Sequence, residues 1–126
     1  MLNGAHILLF SDDAEADRKF FRDVLEWSFV DAGHSWLIFK LPPGEAAVHP
    51  SAMDNRPLHH ENRMLGASLY LICDDLEGEI KALKEKKVEC APITQENWGS
   101  RTAIKLPSGG EIGLYQPKHR TAYDLG

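Results

Sequence analysis

A repeat constrains this chain more than any other feature. Residues 12–15 read Asp-Asp-Ala-Glu and residues 74–77 read Asp-Asp-Leu-Glu, an offset of 62. Residues 39–45 read Phe-Lys-Leu-Pro-Pro-Gly-Glu and residues 104–111 read Ile-Lys-Leu-Pro-Ser-Gly-Gly-Glu, offset by 65 and then by 66 after one extra glycine. Two matches at nearly one offset point to two copies of one supersecondary unit. A unit of about 60 residues is longer than a solenoid repeat. Two of them in 126 residues therefore predict one domain, residues 1–126, with pseudo-twofold symmetry. That length suffices for a real hydrophobic core.

Within the first unit, residues 1–50, the apolar run 4–10 predicts a buried strand. Asp12 with Glu15 reads as a capping box. The helix it opens is predicted to run to about Leu25, with Ala16, Phe20, Phe21, Val24 and Leu25 inward. Strands are predicted at 35–41 and 45–49, stopped by Pro42-Pro43-Gly44 and by Pro50, with a short one at 28–31. Residues 51–64 are polar and aperiodic and read as a linker, in which His59-His60-Glu61 are solvated loop residues. The second unit, residues 65–117, repeats the order. It has a strand at 67–73, an Asp74/Glu77 box, and a helix to about Lys87 with Leu76, Ile80 and Leu83 inward. A short strand in 88–94, interrupted by Pro92, and a hairpin of 101–106 with 111–116 complete it. The tail, 118–126, reads as polar and frayed. The fold class is α+β, two tandem βαβββ units with mixed sheets.

Bulk properties remove whole classes of function. A net charge of -5 provides no basic face for nucleic acid. No run approaches the roughly 18 apolar residues of a membrane span, and the first residues show no signal-peptide pattern. Cys73 and Cys90 read as reduced thiols of a cytoplasmic protein, with Cys73 a small core residue.

Three features together resemble the vicinal oxygen chelate superfamily of glyoxalases, extradiol dioxygenases and bleomycin-resistance proteins. They are His6 seven residues before Asp13, Phe20-Phe21 in the first helix, and the ending Leu-Pro-Ser-Gly-Gly-Glu-Ile-Gly-Leu-Tyr-Gln-Pro at 106–117. The resemblance implies that the two units form one cup around a small-molecule site, and a homodimer. In metal-dependent members it implies ligands on the first and last strand of each unit. Those positions are His6, Ala47, Ser68 and Gly113 here. Ala and Gly offer no donor, serine is a poor ligand, and a lone histidine cannot hold a catalytic metal. The expectation is therefore no cofactor and no metal.

His49 keeps one alternative open. It lies two residues after Ala47 and so shares its strand face, about 6–7 Å further along. A displaced divalent metal on His6 and His49 would make the chain an enzyme of glyoxalase or extradiol dioxygenase type. His6 is otherwise a pocket histidine, and the best candidate should there be a general base. The substrate-binding candidates are His6, Trp36, His49, Ser68, Arg101 and Tyr115. Arg101 suits an anionic group, and Trp27, Trp36 and Trp98 suit core or pocket wall. Three readings follow: a metal-independent binder of a small, partly apolar molecule, the displaced-metal enzyme, and a non-catalytic dimeric interaction module. A cup filled by Trp36, Trp98 and Tyr115 is expected only of the third.

Overall fold

The structure, a computed structural model, describes residues 1–50, 58–59 and 62–126. Each helix begins where a carboxylate caps it. In α1 (Ala14–Asp23) the Asp13 side chain accepts from the Ala16 N–H at 3.1 Å. In α2 (Leu76–Glu85) Asp75 accepts from the Gly78 N–H at 3.1 Å. The caps are thus the second Asp of each Asp-Asp pair, not Asp12 and Asp74. Glu15 and Glu77 fall in the first turn, where the positive end of the helix dipole favours them without a capping box.

Eight strands follow the chain among the described residues. They are β1 (Phe29–Asp31), β2 (Leu37–Phe39), β3 (Leu58–His59), β4 (Asn62–Arg63), β5 (Tyr70–Ile72), β6 (Thr94–Glu96), β7 (Gly99–Lys105) and β8 (Glu111–Pro117). The main sheet has the order β5-β8-β7-β6, with β5 parallel to β8 and the other pairs antiparallel. Residues 70–117 are therefore one βαβββ unit, as the sequence predicts for the second copy. Its second strand starts only at Thr94. Before it, Cys90 makes a single bridge to Ile104, and Pro92 has no N–H to extend a ladder.

The first copy departs from expectation. β1 and β2 pair as an isolated hairpin, but residues 4–10 and 45–49 enter no strand. Ile7 is 50% exposed and Phe10 64%. An extended segment becomes a strand only beside another that takes up its N–H and C=O groups, and only with one face covered. Among the described residues no strand pairs with residues 4–9, and they are exposed. The linker also differs, because β3 and β4 form a short hairpin within it. The side chains of His59, His60 and Glu61 lie outside the described residues.

Both helices cover one face of the main sheet. Phe20 and Phe21 of α1 join Leu76 and Leu83 of α2 over Ile104, Leu106, Ile112 and Leu114, all buried. Phe21 also stacks on Trp27 at 4.9 Å, which closes the helix against the first hairpin through Phe39. An unexpected polar contact ties the units together. Asp17 is buried on α1 and accepts from the Ser11 hydroxyl at 2.6 Å, the Ser108 hydroxyl at 2.7 Å and the Ser108 N–H at 3.1 Å.

Candidate functional site

Strand alternation sorts the side chains of the main sheet. Leu71, Ile104, Ile112 and Leu114 face the helices. Tyr70, Arg101, Gly113 and Tyr115 therefore face the other side. Register brings them together: Tyr70 is opposite Gly113, and Arg101 is opposite Tyr115.

Three aromatic rings meet on this face. Tyr115 packs edge-on to Trp98 at 5.2 Å and to Tyr70 at 5.8 Å, and Tyr70 meets Trp98 at 6.2 Å. Gly113 is what lets Tyr70 lie there, because a Cβ on residue 113 would overlap the Tyr70 ring. The space of a side chain on the last strand is thus taken by an aromatic ring from the first.

Polar groups converge at the edge of the rings. The Tyr115 hydroxyl lies 3.1 Å from His119 Nε2, and His119 Nδ1 lies 2.9 Å from the Arg120 carbonyl. A carbonyl only accepts, so Nδ1 carries the proton of the neutral ring. Nε2 is then an acceptor and the Tyr115 hydroxyl donates to it. Glu45 Oε2 stands 4.0 Å from the same nitrogen, an ion pair only when the imidazole is protonated. Glu45 Oε1 accepts from the Ala122 N–H at 2.7 Å. The tail is therefore fastened at His119 and Ala122. Burial, and then the Glu45 charge, raise the Tyr115 pKa above its ordinary value. The phenol accordingly stays protonated at neutral pH, as a hydrogen-bond donor rather than a base.

The residues singled out by sequence separate into two groups. Arg101 and Tyr115 are neighbours on the aromatic face. Arg101 Nε lies 3.2 Å from Glu96 Oε1, so its charge is already paired. Ser68 precedes β5, is exposed, and shares the strand parity of Tyr70. The other three have no described contact with the rings. Trp36 is 48% exposed and packs under Arg18, whose guanidinium carbon is 5.1 Å from the ring centre. His49 Nδ1 lies 2.8 Å from the Pro50 carbonyl, and His6 is exposed. Trp98 and Tyr115 do pack together, but the third ring is Tyr70, not Trp36.

Sequence reasoning passed over Tyr70, Glu45 and His119. Tyr70 was within reach, being two residues after Ser68 on one strand face. Glu45 and His119 meet only because the tail folds back, and no spacing signals that.

Among the described residues no group of three or more His, Cys, Asp or Glu side chains converges. Gly113 and Ala47 supply no donor atom, and the Tyr70 ring covers Gly113. Nor does Cys73 offer a nucleophile. It points into the core side, and burial, then Glu79, push its thiol up to about 11. A cleft of about 510 Å³ opens elsewhere, between α2 and the 88–91 segment. It is bordered by the exposed charges of Lys105 and Glu89, 3.7 Å apart, and contains none of the three rings.

The model of the glyoxalase/bleomycin resistance protein/dioxygenase superfamily matches residues 5–114. No curated protein matches the chain. Among solved structures, an antibiotic-binding protein from Streptomyces sp. CB03234 aligns at a TM-score of 0.56 and 21% identity, covering 94% of this chain and 100% of that one. A lactoylglutathione lyase from Agrobacterium tumefaciens aligns at 0.62 and 16% identity, over 90% and 92% of the two chains. A superfamily member from Sphaerobacter thermophilus DSM 20745 aligns at 0.57 and 22% identity, over 91% and 98%. At such identities these structures speak for the fold alone.

Proposed function

The chain belongs to the glyoxalase/bleomycin resistance protein/dioxygenase superfamily, and from that premise we propose that it binds a small, partly apolar molecule without a metal. The observation that carries this reading is the Tyr70 ring over Gly113. At the position where metal-dependent relatives are expected to hold a carboxylate, the chain has removed the donor and filled its space with an aromatic surface. An aromatic wall with a few convergent polar groups is the usual make-up of a small-molecule site. Here the polar groups are the Tyr115 hydroxyl, the His119 imidazole and the Arg101–Glu96 pair.

Sequestration or sensing fits these groups better than catalysis. Tyr115 is held protonated, Cys73 is a core thiol, and Arg101 is neutralised by Glu96. One structural neighbour is described as antibiotic-binding, and a binding role, by sequestration, is our reading for this chain. Tyr115, Arg101 and Ser68 contribute to the site, whereas His6, Trp36 and His49 are assigned no role in it. The two free thiols accord with a reducing, cytoplasmic setting. A second copy of the chain is the expected protein partner. No described helix is long and apolar enough to cross a membrane.

The test combines metal analysis with ligand screening. Elemental analysis of untagged protein, before and after incubation with iron, zinc, manganese and nickel, should find no stoichiometric metal. Thermal-shift screening of small apolar molecules should then give hits that survive a chelator and weaken in Trp98→Ala. A tightly held equivalent of one metal, whose removal abolishes those hits, would overturn the reading in favour of the displaced-site enzyme.

A further inference from the structure

The ladder between β7 and β8 runs one rung past the strands. The Lys118 N–H bonds to the Trp98 carbonyl at 2.8 Å. After that rung residues 119–122 lie against the hydroxyl end of Tyr115. Among the described residues two partners far apart in sequence hold them there. From β8, the Tyr115 hydroxyl meets His119 Nε2 at 3.1 Å, with ring centres 6.0 Å apart. From the segment after β2, Glu45 grips at two points. Its Oε1 accepts from the Ala122 N–H at 2.7 Å, and its Oε2 stands 4.0 Å from His119 Nε2.

These fastenings differ in kind from those of the ring beneath them. Tyr115 is 8% exposed and wedged between Tyr70 and Trp98. His119, Arg120 and Ala122 are exposed, and so are Tyr123 and Leu125 beyond them. A segment held by a few exposed hydrogen bonds, with little apolar burial, opens at low cost while the sheet stays folded. The hinge follows Lys118, the last residue on the ladder.

We propose that residues 119–122 are a strap that opens and closes over the Tyr115 hydroxyl, with the Glu45 carboxylate as its clasp. Closed, the strap takes the hydrogen bond of the phenol for itself. The Arg120 carbonyl holds the imidazole proton on Nδ1, which leaves Nε2 to accept from Tyr115. An outside acceptor must displace this imidazole before it can reach the hydroxyl. The strap is thus an autoinhibitory contact. Its bearing on a ligand rests on the small-molecule reading above, whereas its opening is a property of the free chain. Glu45 sets the balance, because one carboxylate holds both His119 and Ala122 and its loss releases both.

The test needs no ligand. The probe is N-acetylimidazole, which acetylates accessible phenols, and peptide masses report each tyrosine of the full chain separately. In the unmodified chain Tyr115 should react about tenfold more slowly than Tyr123, and the Ala122 amide should exchange about tenfold more slowly than an unprotected one. Glu45→Ala should raise both rates about tenfold, as expected for loss of a hydrogen bond to a charged group. Glu45→Gln keeps an acceptor for the Ala122 N–H and should raise them about threefold at most. Ala122→Pro removes the donor and leaves Glu45 in place, and Tyr115 should react in it as in Glu45→Ala. Tyr70 should react at an unchanged rate throughout. Tyr115 acetylated as fast as Tyr123 in the unmodified chain would overturn the proposal. So would Tyr115 reactivity unchanged in Glu45→Ala and Ala122→Pro, since ring packing alone would then shield the hydroxyl. Equal rises in Glu45→Gln and Glu45→Ala would also overturn it, because Glu45 would then act through its charge on the phenol and not as a clasp. A silent ligand screen beside the expected rates would remove the small-molecule reading and leave the strap standing.

Discussion

Asp17 shows how much a single polar residue can hold. A buried carboxylate is tolerated only when hydrogen bonds replace its water. Asp17 receives three, two of them from Ser108 in the turn between β7 and β8. Asp17→Ala leaves the Ser108 N–H without its acceptor. It should cost about 1.5–3 kcal/mol, the range for hydrogen bonds to a charged group, read as a lower urea midpoint. Asp17→Asn should fall between, because one amide NH2 then faces hydroxyl donors. Loss of less than about 0.5 kcal/mol in Asp17→Ala would mean that water takes over the serines. Cys73 makes a prediction about pH. Its thiol is pushed from 9.0 up to about 11 by burial, then by Glu79. The folded chain therefore holds this proton more tightly than the unfolded one. The stability this contributes is complete below about pH 9 and declines as pH rises toward 11. Tyr115, raised by burial and Glu45, adds a decline of the same sign at higher pH. Urea midpoints measured across that window should fall, and should fall less in Cys73→Ala. An identical decline in the variant would remove Cys73 as a cause.

At the scale of elements, the helix starts provide the sharpest comparison of sequence with structure. Either Asp of each pair is an acceptable N-cap residue by type, and the choice depends on where the first turn begins. The structure selects Asp13 and Asp75. Asp13→Ala and Asp75→Ala should each cost about 1 kcal/mol, while Asp12→Ala and Asp74→Ala should change stability by less than about 0.5 kcal/mol. Equal losses within a pair would show that the cap is shared. The inward stripes were legible because helical spacing alone determines them. Phe20, Phe21, Leu76 and Leu83 are buried where that spacing puts them. The 111–116 strand and the turn before it were legible too, since Pro107, Gly109 and Gly110 bound an alternating run. Residues 4–10 were not. Apolar content says that a segment wants cover, but not which strand will lie beside it, and pairing is a long-range property. The site divides along the same line. Arg101 and Tyr115 share a face by period two, whereas Glu45 and His119 meet across most of the chain's length, where local pattern is silent.

The whole chain exposes more surface than a compact monomer of its mass. A compact monomer of 14.1 kDa should expose about 6,700 Å². This chain exposes 10,083 Å², an excess of about 3,400 Å² over that monomer. A standard interface hides only about 800 Å² per partner, less than this excess. Its apolar part is concentrated where the first unit is incomplete. Ile7, Leu8, Leu9 and Phe10 are each at least 40% exposed. The main sheet also ends in β5, whose outer edge carries no strand among the described residues. The repeat tells which way the segment would turn if it became a strand. Ile7 and Leu9 correspond at the offset of 62 to Leu69 and Leu71, which pack on the core, and Leu8 corresponds to Tyr70. Two copies, each laying its 4–9 segment along the other's open edge, would cover much of the apolar run. Sedimentation equilibrium should accordingly report twice the 14.1 kDa chain mass at micromolar concentration. Leu9→Asp places a charge in the covered face and should weaken association by about 30-fold or more. Arg22→Ala, at the exposed Arg22–Asp23 pair, should leave association unchanged. A chain that is monomeric at every concentration, with residues 4–10 protected from hydrogen exchange, would show instead that the segment finds its ladder within its own molecule.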